Sequence, residues 1–370
     1  MIQAWLFTFM QPFMRQHPDP FDPALAQRAI RWHLDTLFPK VEEVGFDGIF
    51  FSEHHFHGNL SASPHLYIAA TAMRTKRVRL GVMGSVLPLH NPWRVAEEIG
   101  ILDHLSGGRL EIGYSSGTGP LEPLVVGIPE EELRPRFDES LDIIDRAIAE
   151  LKVTHHGRFW NFDALAVTPR MLQTNPPKWM TVVSEKSTRI AARRGYKVCT
   201  AFMSAKDAGQ MFDAYRDEAA KVGGSTAPEQ MALRRRCLVW DTDASAEALG
   251  KDVLRIGLER TGRLLKSMTE RGITPLTGVA HIDKQILAMK DTAIDAPASK
   301  FAAEPDEWVV GSPETVAAKI IDQCRIAGAG HFLAYSLGSM EEAEMEHSIE
   351  LWRRVIPILR SAQVPGIAAG

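Results

Sequence analysis

Residues 78–114, VRLGVMGSVLPLHNPWRVAEEIGILDHLSGGRLEIGY, contain the unit from which the fold can be worked out. The apolar run Val78–Val86 predicts a strand, the pattern over Trp93–Leu105 predicts a helix, and Leu110–Tyr114 predicts the next strand. Apart from Arg79, Ser85 and Glu111, both predicted strands consist of apolar residues and glycine. Strands that are apolar on both faces are typical of a parallel sheet that is covered by helices.

The same strand-then-helix unit recurs from one end of the chain to the other. The predicted strands are Ile2–Phe9, Gly48–Phe51, Val78–Val86, Leu110–Tyr114, Trp179–Val183, Lys197–Ala201, Arg236–Trp240 and Phe332–Ser336. Eight such units predict an α/β fold, a (β/α)8 TIM barrel with insertions that forms a single domain over residues 1–370. An open doubly wound sheet is the alternative, but it usually carries a glycine-rich phosphate turn after an early strand, which this chain lacks.

Two stretches interrupt the repeat of strands and helices. Residues 154–177 form an excursion before the fifth strand. Residues 266–306 have weak periodicity, and we interpret them as a candidate mobile lid, because long insertions in compact domains are often lids or binding loops.

Composition and charge exclude several classes of protein. Of 370 residues, 45% are hydrophobic and 24% are charged, which is ordinary for a globular protein. The 42 basic and 46 acidic residues give a net charge of −4, which argues against nucleic acid or an anionic membrane as the main partner. No apolar run is long enough to span a bilayer, no secretory signal is evident, and the cysteines are scattered, so we expect a cytoplasmic protein.

The most reactive group of side chains follows the second strand, where Glu53, His54 and His55 are consecutive. In a TIM barrel the active site lies at the carboxyl ends of the strands. Alternation along an extended chain places Glu53 and His55 on one side and His54 on the other. Imidazole can act near pH 7 as a base or as a hydrogen-bond donor. Two alternatives stay open, a metal site in a hydrolase and a polar cap on the strand.

Small residues follow the fourth strand at Ser115, Ser116 and Gly117. They leave room for a flat ligand to approach the backbone, and a plain turn is the alternative. After the third strand, His90 and Trp93 either line a cavity wall or form a turn.

The fifth strand leads into a helix through four polar residues, Ser184, Glu185, Ser187 and Thr188. A helix start that carries hydroxyls and free N–H groups can bind a cofactor phosphate. An ordinary helix cap is the alternative.

Other patterns are less specific. The run Arg234–Arg236 predicts a solvated charged face. Five aromatic residues are candidates for the wall of an apolar substrate pocket or for plain core: Phe7, Phe56, Trp93, Tyr114 and Phe202. No GxGxxG follows a strand and no GxxxxGK[ST] occurs, so the chain has no recognisable nicotinamide or nucleoside triphosphate site.

Several segments together resemble the bacterial luciferase-like flavin monooxygenases. They are GFDGIFFSEHHF (45–56), residues 78–117, VVSEKSTRIAARRG (182–195) and VGSPETVAAKI (310–320). The resemblance implies a TIM barrel that binds reduced FMN at its mouth, with the flavin supplied by a separate NAD(P)H:flavin reductase. It implies that O2 adds at C4a of the flavin and that the resulting peroxyflavin oxygenates a small apolar or heteroaromatic substrate.

The resemblance also assigns roles to residues. His54 matches the histidine near the reactive flavin carbon, and Glu53 and His55 match its neighbours. Residues 184–188 match the phosphate-binding loop and helix start. Ser115 stands where bacterial luciferase has a cysteine beside the flavin.

One position departs from the family pattern. Ser116 stands where luciferase has an arginine that helps to hold the phosphate, which leaves Arg189 and Lys186 as candidate cations. Two other activities fit the same superfamily, a deazaflavin-dependent hydride-transfer oxidoreductase and a catalytically silent flavin-binding subunit. The resemblance further implies a homodimer built on the helices near 65–74 and 93–105, and we expect no metal.

Overall fold

A computed structural model of the chain describes residues 1–11, 22–56, 59–117, 121–270, 305–336 and 340–363. The strands in these ranges are β1 (Gln3–Thr8), β2 (Gly48–Phe51), β3 (Arg79–Val82), β4 (Ser85–Val86), β5 (Leu110–Ser115), β6 (Val153–His156), β7 (Asn161–Leu165), β8 (Lys178–Thr181), β9 (Lys197–Thr200), β10 (Met231–Val239), β11 (Trp308–Gly311) and β12 (His331–Ser336). The helices are α1 (Pro23–Trp32), α2 (Phe38–Val44), α3 (Pro64–Ala72), α4 (Pro92–Ser106), α5 (Leu121–Val125), α6 (Glu130–Ala149), α7 (Glu185–Arg193), α8 (Ala205–Lys221), α9 (Asp243–Glu270), α10 (Pro313–Ala327) and α11 (Glu342–Ser361). A π-helical turn, His33–Leu37, joins α1 to α2.

Eight parallel strands close into a barrel in the order β1, β2, β3, β5, β8, β9, β10 and β12. β12 closes the ring on β1, with His331 opposite Gln3, and β10 pairs with both β9 and β12. The predicted (β/α)8 barrel is therefore confirmed, and the open sheet is excluded, since an open sheet has two unpaired edges.

Two short strands add to the barrel. The predicted third strand divides at Met83 and Gly84 into β3 and β4. β11, which the sequence did not predict, pairs with the carboxyl-terminal half of β10, with Trp308 opposite Arg236.

The prediction that Arg234–Arg236 forms a solvated face is wrong. Arg234 is 6% exposed and Arg235 is fully buried. The Arg235 guanidinium donates to Glu307 Oε1 at 2.7 Å and to Gln323 Oε1 at 2.9 Å, so buried partners replace water. These arginines extend β10 back to Met231, five residues before the predicted start at Arg236.

Glycine allows β3 and β5 to approach closely below the barrel mouth. A Cβ added at Gly113 would lie 1.8 Å from the carbonyl oxygen of Val82, so no other residue fits there without moving the backbone. This close approach places the end of β5, with Ser115, beside β4, where Val86 pairs with Ser115.

Apolar and aromatic side chains fill the barrel interior. This lumen cluster consists of Trp5, Phe7, Phe50, Met83, Trp179, Cys199, Ala232 and Leu333. Below it, Trp5 Nε1 donates to His331 Nδ1 at 3.0 Å. Burial lowers the pKa of His331 to about 3, so its ring is neutral and Nδ1 can accept this bond. The packed lower lumen leaves the mouth as the place for a ligand.

Two further segments lie outside the barrel. The excursion at 154–177 includes β6 and β7, which pair as an antiparallel hairpin between α6 and β8. Residues 266–270 of the candidate lid continue α9, whereas 271–304 lie outside the described residues. Among the helices that the structure describes, none is long and apolar enough to span a membrane.

Candidate active site

Glu53, His54 and His55 lie just beyond the carboxyl end of β2, at the barrel mouth. Glu53 is buried, and His55 Nε2 lies 2.9 Å from its Oε1. His54 is directed elsewhere, as alternation predicts. Its ring stacks on Phe9, with 5.1 Å between centroids and 29° between planes.

His90 joins this cluster from the other side of the Glu53 carboxylate. Its Nε2 lies 2.7 Å from Glu53 Oε1, and Glu53 Oε2 accepts the N–H of Val86. Burial alone would raise the pKa of Glu53, but the bonds from His55 and His90 outweigh it and lower that pKa to about 2. Burial also opposes the charge on His90, yet Glu53 raises the pKa of His90 above its usual value. The carboxylate is ionised and holds both imidazoles by their Nε2 atoms.

The same three residues offer donor atoms that a metal ion could use. One atom each from Glu53, His55 and His90 lies within 4.8 Å of the other two. Two imidazoles and a carboxylate are common ligands of zinc. The hydrogen bonds of 2.7 and 2.9 Å to one carboxylate oxygen account for this grouping without an ion.

Glu122 is a buried carboxylate at the mouth that the sequence did not reveal. It lies on α5, and its Oε1 accepts the N–H of His55 at 3.3 Å and lies 3.5 Å from His54 Nδ1. Nothing local distinguishes it, because 67 residues separate it from His55. Glu122 can orient the ring of His54 through this contact.

The turn after β5 is built from small residues. Ser115 is buried, and its Oγ accepts the N–H of Gly117 at 3.1 Å. Gly117 has φ 83°, and a Cβ there would also approach Val86 Cγ1 to 3.2 Å. Ser116 is half-buried in the same turn. The turn is therefore free of bulky side chains next to the Glu53 cluster, which consists of Glu53, His55 and His90.

The helix start after β8 has the hydroxyls that the sequence predicts. Ser184 caps α7 by accepting the N–H of Ser187. Ser187 Oγ and Thr188 Oγ1 each donate to the carbonyl oxygen of Ser184, at 2.8 and 2.9 Å. β5 and β8 are paired neighbours, so this helix start and the Ser115–Gly117 turn lie at the same edge of the mouth.

The candidate cations at this helix start differ in their partners. Arg189 donates to Glu185 at 2.7 Å and to Glu218 at 3.3 Å. Glu185 thereby faces Arg189 along the outside of α7. Lys186 is exposed and forms no ion pair with the residues that the structure describes. Lys186 is thus the better placed of the two for a phosphate.

The aromatic candidates divide between the lumen and other places. Phe7 belongs to the lumen cluster, and the Phe202 ring lies 4.5 Å from the guanidinium carbon of Arg234. Tyr114 belongs to the outer core, where it packs against Tyr196. Phe56 is exposed, and Trp93 is half-buried on α4.

The closed barrel carries imidazoles at its mouth and a hydroxyl-lined helix start beside them. TIM-barrel enzymes have their active sites at this end of the barrel, and a helix start of this kind can bind an anion. The chain belongs to the luciferase-like monooxygenase family, whose characteristic sequence pattern matches residues 25–330. It is 24% identical over 355 residues to the alkanal monooxygenase alpha chain of Photobacterium leiognathi, covering 95% of this chain and 98% of that one. It is 28% identical over 243 residues to the oxygenase component of the flavin-dependent trigonelline monooxygenase of Acinetobacter baylyi, covering 64% and 67%.

Solved structures share the fold. The oxygenating constituent of 3,6-diketocamphane monooxygenase from Pseudomonas putida, in complex with FMN, superposes with a TM-score of 0.74 at 22% identity, covering 98% of this chain and 99% of that one. An F420-dependent secondary alcohol dehydrogenase superposes with a TM-score of 0.71 at 18% identity, covering 97% and 99%. The protein is a luciferase-like oxidoreductase of the flavin-dependent monooxygenase type.

Proposed function

We propose that the protein is the oxygenase component of a two-component monooxygenase, which uses reduced FMN and O2 to oxygenate a small organic substrate. The observation that carries the proposal is His54, whose ring stacks on Phe9 while its Nδ1 lies 3.5 Å from the buried carboxylate of Glu122. An imidazole held in this way at the barrel mouth can hold or move a proton beside a bound ligand.

Two features of the mouth support FMN as the ligand. The start of α7 offers Ser184, Ser187 and Thr188, with Lys186 nearby, for the phosphate. The Ser115–Gly117 turn offers a backbone without large side chains for the flat ring system. When bound, reduced FMN would supply the electrons and the reactivity toward oxygen.

The chain's own residues then bind, orient and exclude water. His54 serves as proton donor or acceptor, and Glu122 orients it. Glu53 keeps His55 and His90 fixed through one ionised carboxylate. The lumen cluster below the mouth keeps water from entering through the barrel, which protects reactive flavin chemistry from side reactions.

The partners follow from what the sequence lacks and what the chain exposes. Because the sequence has no recognisable nicotinamide site, a separate NAD(P)H:flavin reductase supplies the reduced flavin, and we place both in the cytoplasm. One relative is named as an oxygenase component, in agreement with this arrangement. Leu66, Ile101 and Leu105 on α3 and α4 are exposed apolar side chains, and we propose that they form a homodimer interface.

Rapid mixing tests the proposal. Protein with reduced FMN is mixed with oxygenated buffer, and the flavin absorbance is followed. We expect an additional spectral phase, distinct from the oxidation of free FMN, followed by substrate-dependent incorporation of 18O from O2. Flavin that oxidises in the protein just as it does in buffer would reject the proposal and favour the silent subunit.

A deazaflavin-dependent dehydrogenase is the second candidate, because the F420-dependent alcohol dehydrogenase shares the fold over 97% of this chain. The two activities differ in their need for oxygen. Reduction of F420 by an alcohol without oxygen, together with no oxygen uptake with reduced FMN, would select this alternative.

A further inference from the structure

Arg234 is a buried cation inside the barrel that has no role in the proposed chemistry. It lies on β10 two residues after Ala232, a member of the lumen cluster, so alternation directs its side chain into the same lumen. Only 6% of the residue is exposed. Its position above Ala232 is toward the mouth, since the strands are parallel.

Three aromatic rings surround the Arg234 guanidinium. Its central carbon lies 4.5 Å from the centroid of Phe202, 5.4 Å from that of Phe7 and 5.6 Å from that of Tyr335. Such rings attract the cation through their faces and orient its plane. Ring faces are poor substitutes for oxygen, however, so they do not satisfy the N–H groups of the guanidinium as hydrogen-bond acceptors would.

No carboxylate of the described residues bonds to Arg234. Its Nη2 is buried and has no hydrogen-bond partner among them. Glu307 is acidic, but its Oε1 accepts from Arg235 at 2.7 Å and from the N–H of Phe202 at 2.5 Å, and it forms no hydrogen bond with Arg234. Arginine keeps its proton in proteins, so the described part of the lumen holds a buried positive charge without a bonded counter-ion. Burying a charge costs free energy unless a hydrogen-bonded group of opposite charge lies beside it, and a bound anion would supply such a group.

The cation lies on the far side of an aromatic pair from His54. Phe9 stacks on His54 and contacts Tyr335 edge-on, with 4.7 Å between centroids. Tyr335 in turn lies against Arg234. A ligand placed between His54 and Arg234 would therefore lie against the rings of Phe9 and Tyr335, with the guanidinium at one end.

From this arrangement we propose that Arg234 binds an anionic group of the substrate, a carboxylate or a similar planar oxyanion. The substrate class is then an organic acid with an apolar or aromatic body, oriented with its charged end at Arg234, on the mouth side of Ala232, and its reacting end near His54. The placement of the reacting end near His54 rests on the proposed monooxygenase function. The binding of the anion itself needs neither flavin nor oxygen.

Binding to the full chain tests the inference. The probes are benzoate and cyclohexanecarboxylate, each compared with its neutral primary amide by calorimetry and by the ligand-induced rise in thermal midpoint. We expect the carboxylates to bind and the amides to bind at least about 30-fold more weakly. Arg234→Gln should weaken carboxylate binding by at least about 30-fold, as when one partner of a buried charge pair is removed. Arg234→Lys should restore part of it.

Three control measurements accompany the Arg234 variants. Arg31→Gln removes an exposed arginine that pairs with Asp35 and should leave carboxylate binding unchanged. Circular dichroism of each variant checks folding. The affinity for reduced FMN, measured without oxygen, should be equal in wild type and Arg234→Gln.

Three results would overturn the inference: no carboxylate binds, acid and amide bind alike, or Arg234→Gln binds the acids as wild type does. If Arg234→Gln lost affinity for reduced FMN but kept carboxylate binding, the inference would also be overturned, because Arg234 would then bind the flavin and not the substrate. Failure of the monooxygenase assay alone leaves the carboxylate result standing, so the two proposals fail separately.

Discussion

His90 Nε2 lies 2.7 Å from Glu53 Oε1, although 37 residues separate them in the chain. The loop after β4 carries His90 over the end of β2, and Val86 at the end of β4 donates its N–H to the other oxygen of Glu53. One carboxylate therefore ties two neighbouring parts of the barrel together at the mouth. The hydrogen bond between Glu53 and His90 is stabilised by the charge of the Glu53 carboxylate. The stability that this bond contributes therefore depends on pH.

Glu53→Gln should destabilise the fold by about 1–3 kcal/mol near pH 5.5, the cost expected for losing hydrogen bonds to a charged group. The lowered pKa of Glu53 means that its ionised form stabilises the protein above about pH 4.5 and that this contribution is lost as the pH falls toward 2. The raised pKa of His90 means that its protonated form stabilises the protein below about pH 6.5, with loss as the pH rises through the raised value.

Both contributions are present between those limits, so the difference in urea unfolding free energy between wild type and Glu53→Gln should be larger at pH 5.5 than at pH 8.5. Glu98→Gln is a matched control, because Glu98 also pairs with a histidine, His65, at 2.7 Å, but at a more exposed position. We expect a smaller loss there. An equal difference at both pH values would contradict the charged pair.

Removal of metal should leave the protein unchanged. Glu53, His55 and His90 bond to each other directly, so we expect purified protein to hold less than one equivalent of any transition metal. Dialysis against EDTA should alter neither the thermal midpoint nor oxygen incorporation. Stoichiometric zinc together with loss of activity on chelation would instead support the metal-dependent class.

His54→Ala should lower product formation by roughly 10²-fold or more, the usual contribution of a general acid or base. FMN affinity should be retained, because the residues that we propose for the phosphate lie at the start of α7 and not beside His54. The measurement is 18O incorporation with a flavin reductase, NADH and FMN. His104→Ala removes a histidine that bonds to the carbonyl of Arg170 and should keep full activity. Normal coupled turnover in His54→Ala would remove His54 from the mechanism.

Local periodicity is sufficient to predict the barrel but not its irregular parts. The apolar runs predict all eight barrel strands, because a buried parallel strand needs apolar residues on both faces. The helical segment between β1 and β2 is interrupted by the π-helical turn at His33–Leu37, where His33 Nδ1 bonds to the carbonyl of Ala29 inside the core. β11 pairs with β10 outside the ring of eight strands, so the repeat of eight strand-then-helix units gave no reason to expect it.

The residues of the candidate site, like the elements of the fold, could be predicted from local sequence only in part. Residues that follow a strand directly, such as His54 and Ser184, can be placed at the mouth from their position in the sequence alone. His90 and Glu122 reach Glu53 and His54 only through the folded chain, and no local pattern links them. The arginines of β10 misled the prediction because charge in a sequence usually means exposure, and the partner of Arg235, Glu307, lies 72 residues away.

Ser184→Ala should weaken FMN binding on the order of 10-fold while leaving riboflavin binding unchanged, because riboflavin has no phosphate. Ser204→Ala is the matched control, since Ser204 caps α8 in the same way by accepting the N–H of Asp207. Both variants should lose about 1 kcal/mol of stability with their helix caps. Fluorescence titration checks the affinities, and equal FMN binding by the two variants would argue against a phosphate at α7.

Ile101→Glu should convert a dimer into a monomer. The side chain is 47% exposed on α4, next to Leu105, and faces the same groove as Leu66 on α3. A charge at the centre of an apolar interface would remain unpaired and desolvated. Sedimentation should give twice the 41.1 kDa of the chain for wild type and 41.1 kDa for the variant. Leu151→Glu, at a 77% exposed position after α6, should remain dimeric.

Loss of the dimer should also lower the activity of the enzyme. The groove between α3 and α4, about 360 Å³, is lined by Leu66, Ile101 and Leu105 at one part and by Glu53 and His90 at another. A partner that covers this groove shields the carboxylate and its imidazoles from water and strengthens their hydrogen bonds. Ile101→Glu should therefore lower oxygen incorporation as well as the oligomeric state, whereas a monomer with full activity would show that the Glu53 cluster is complete within one chain.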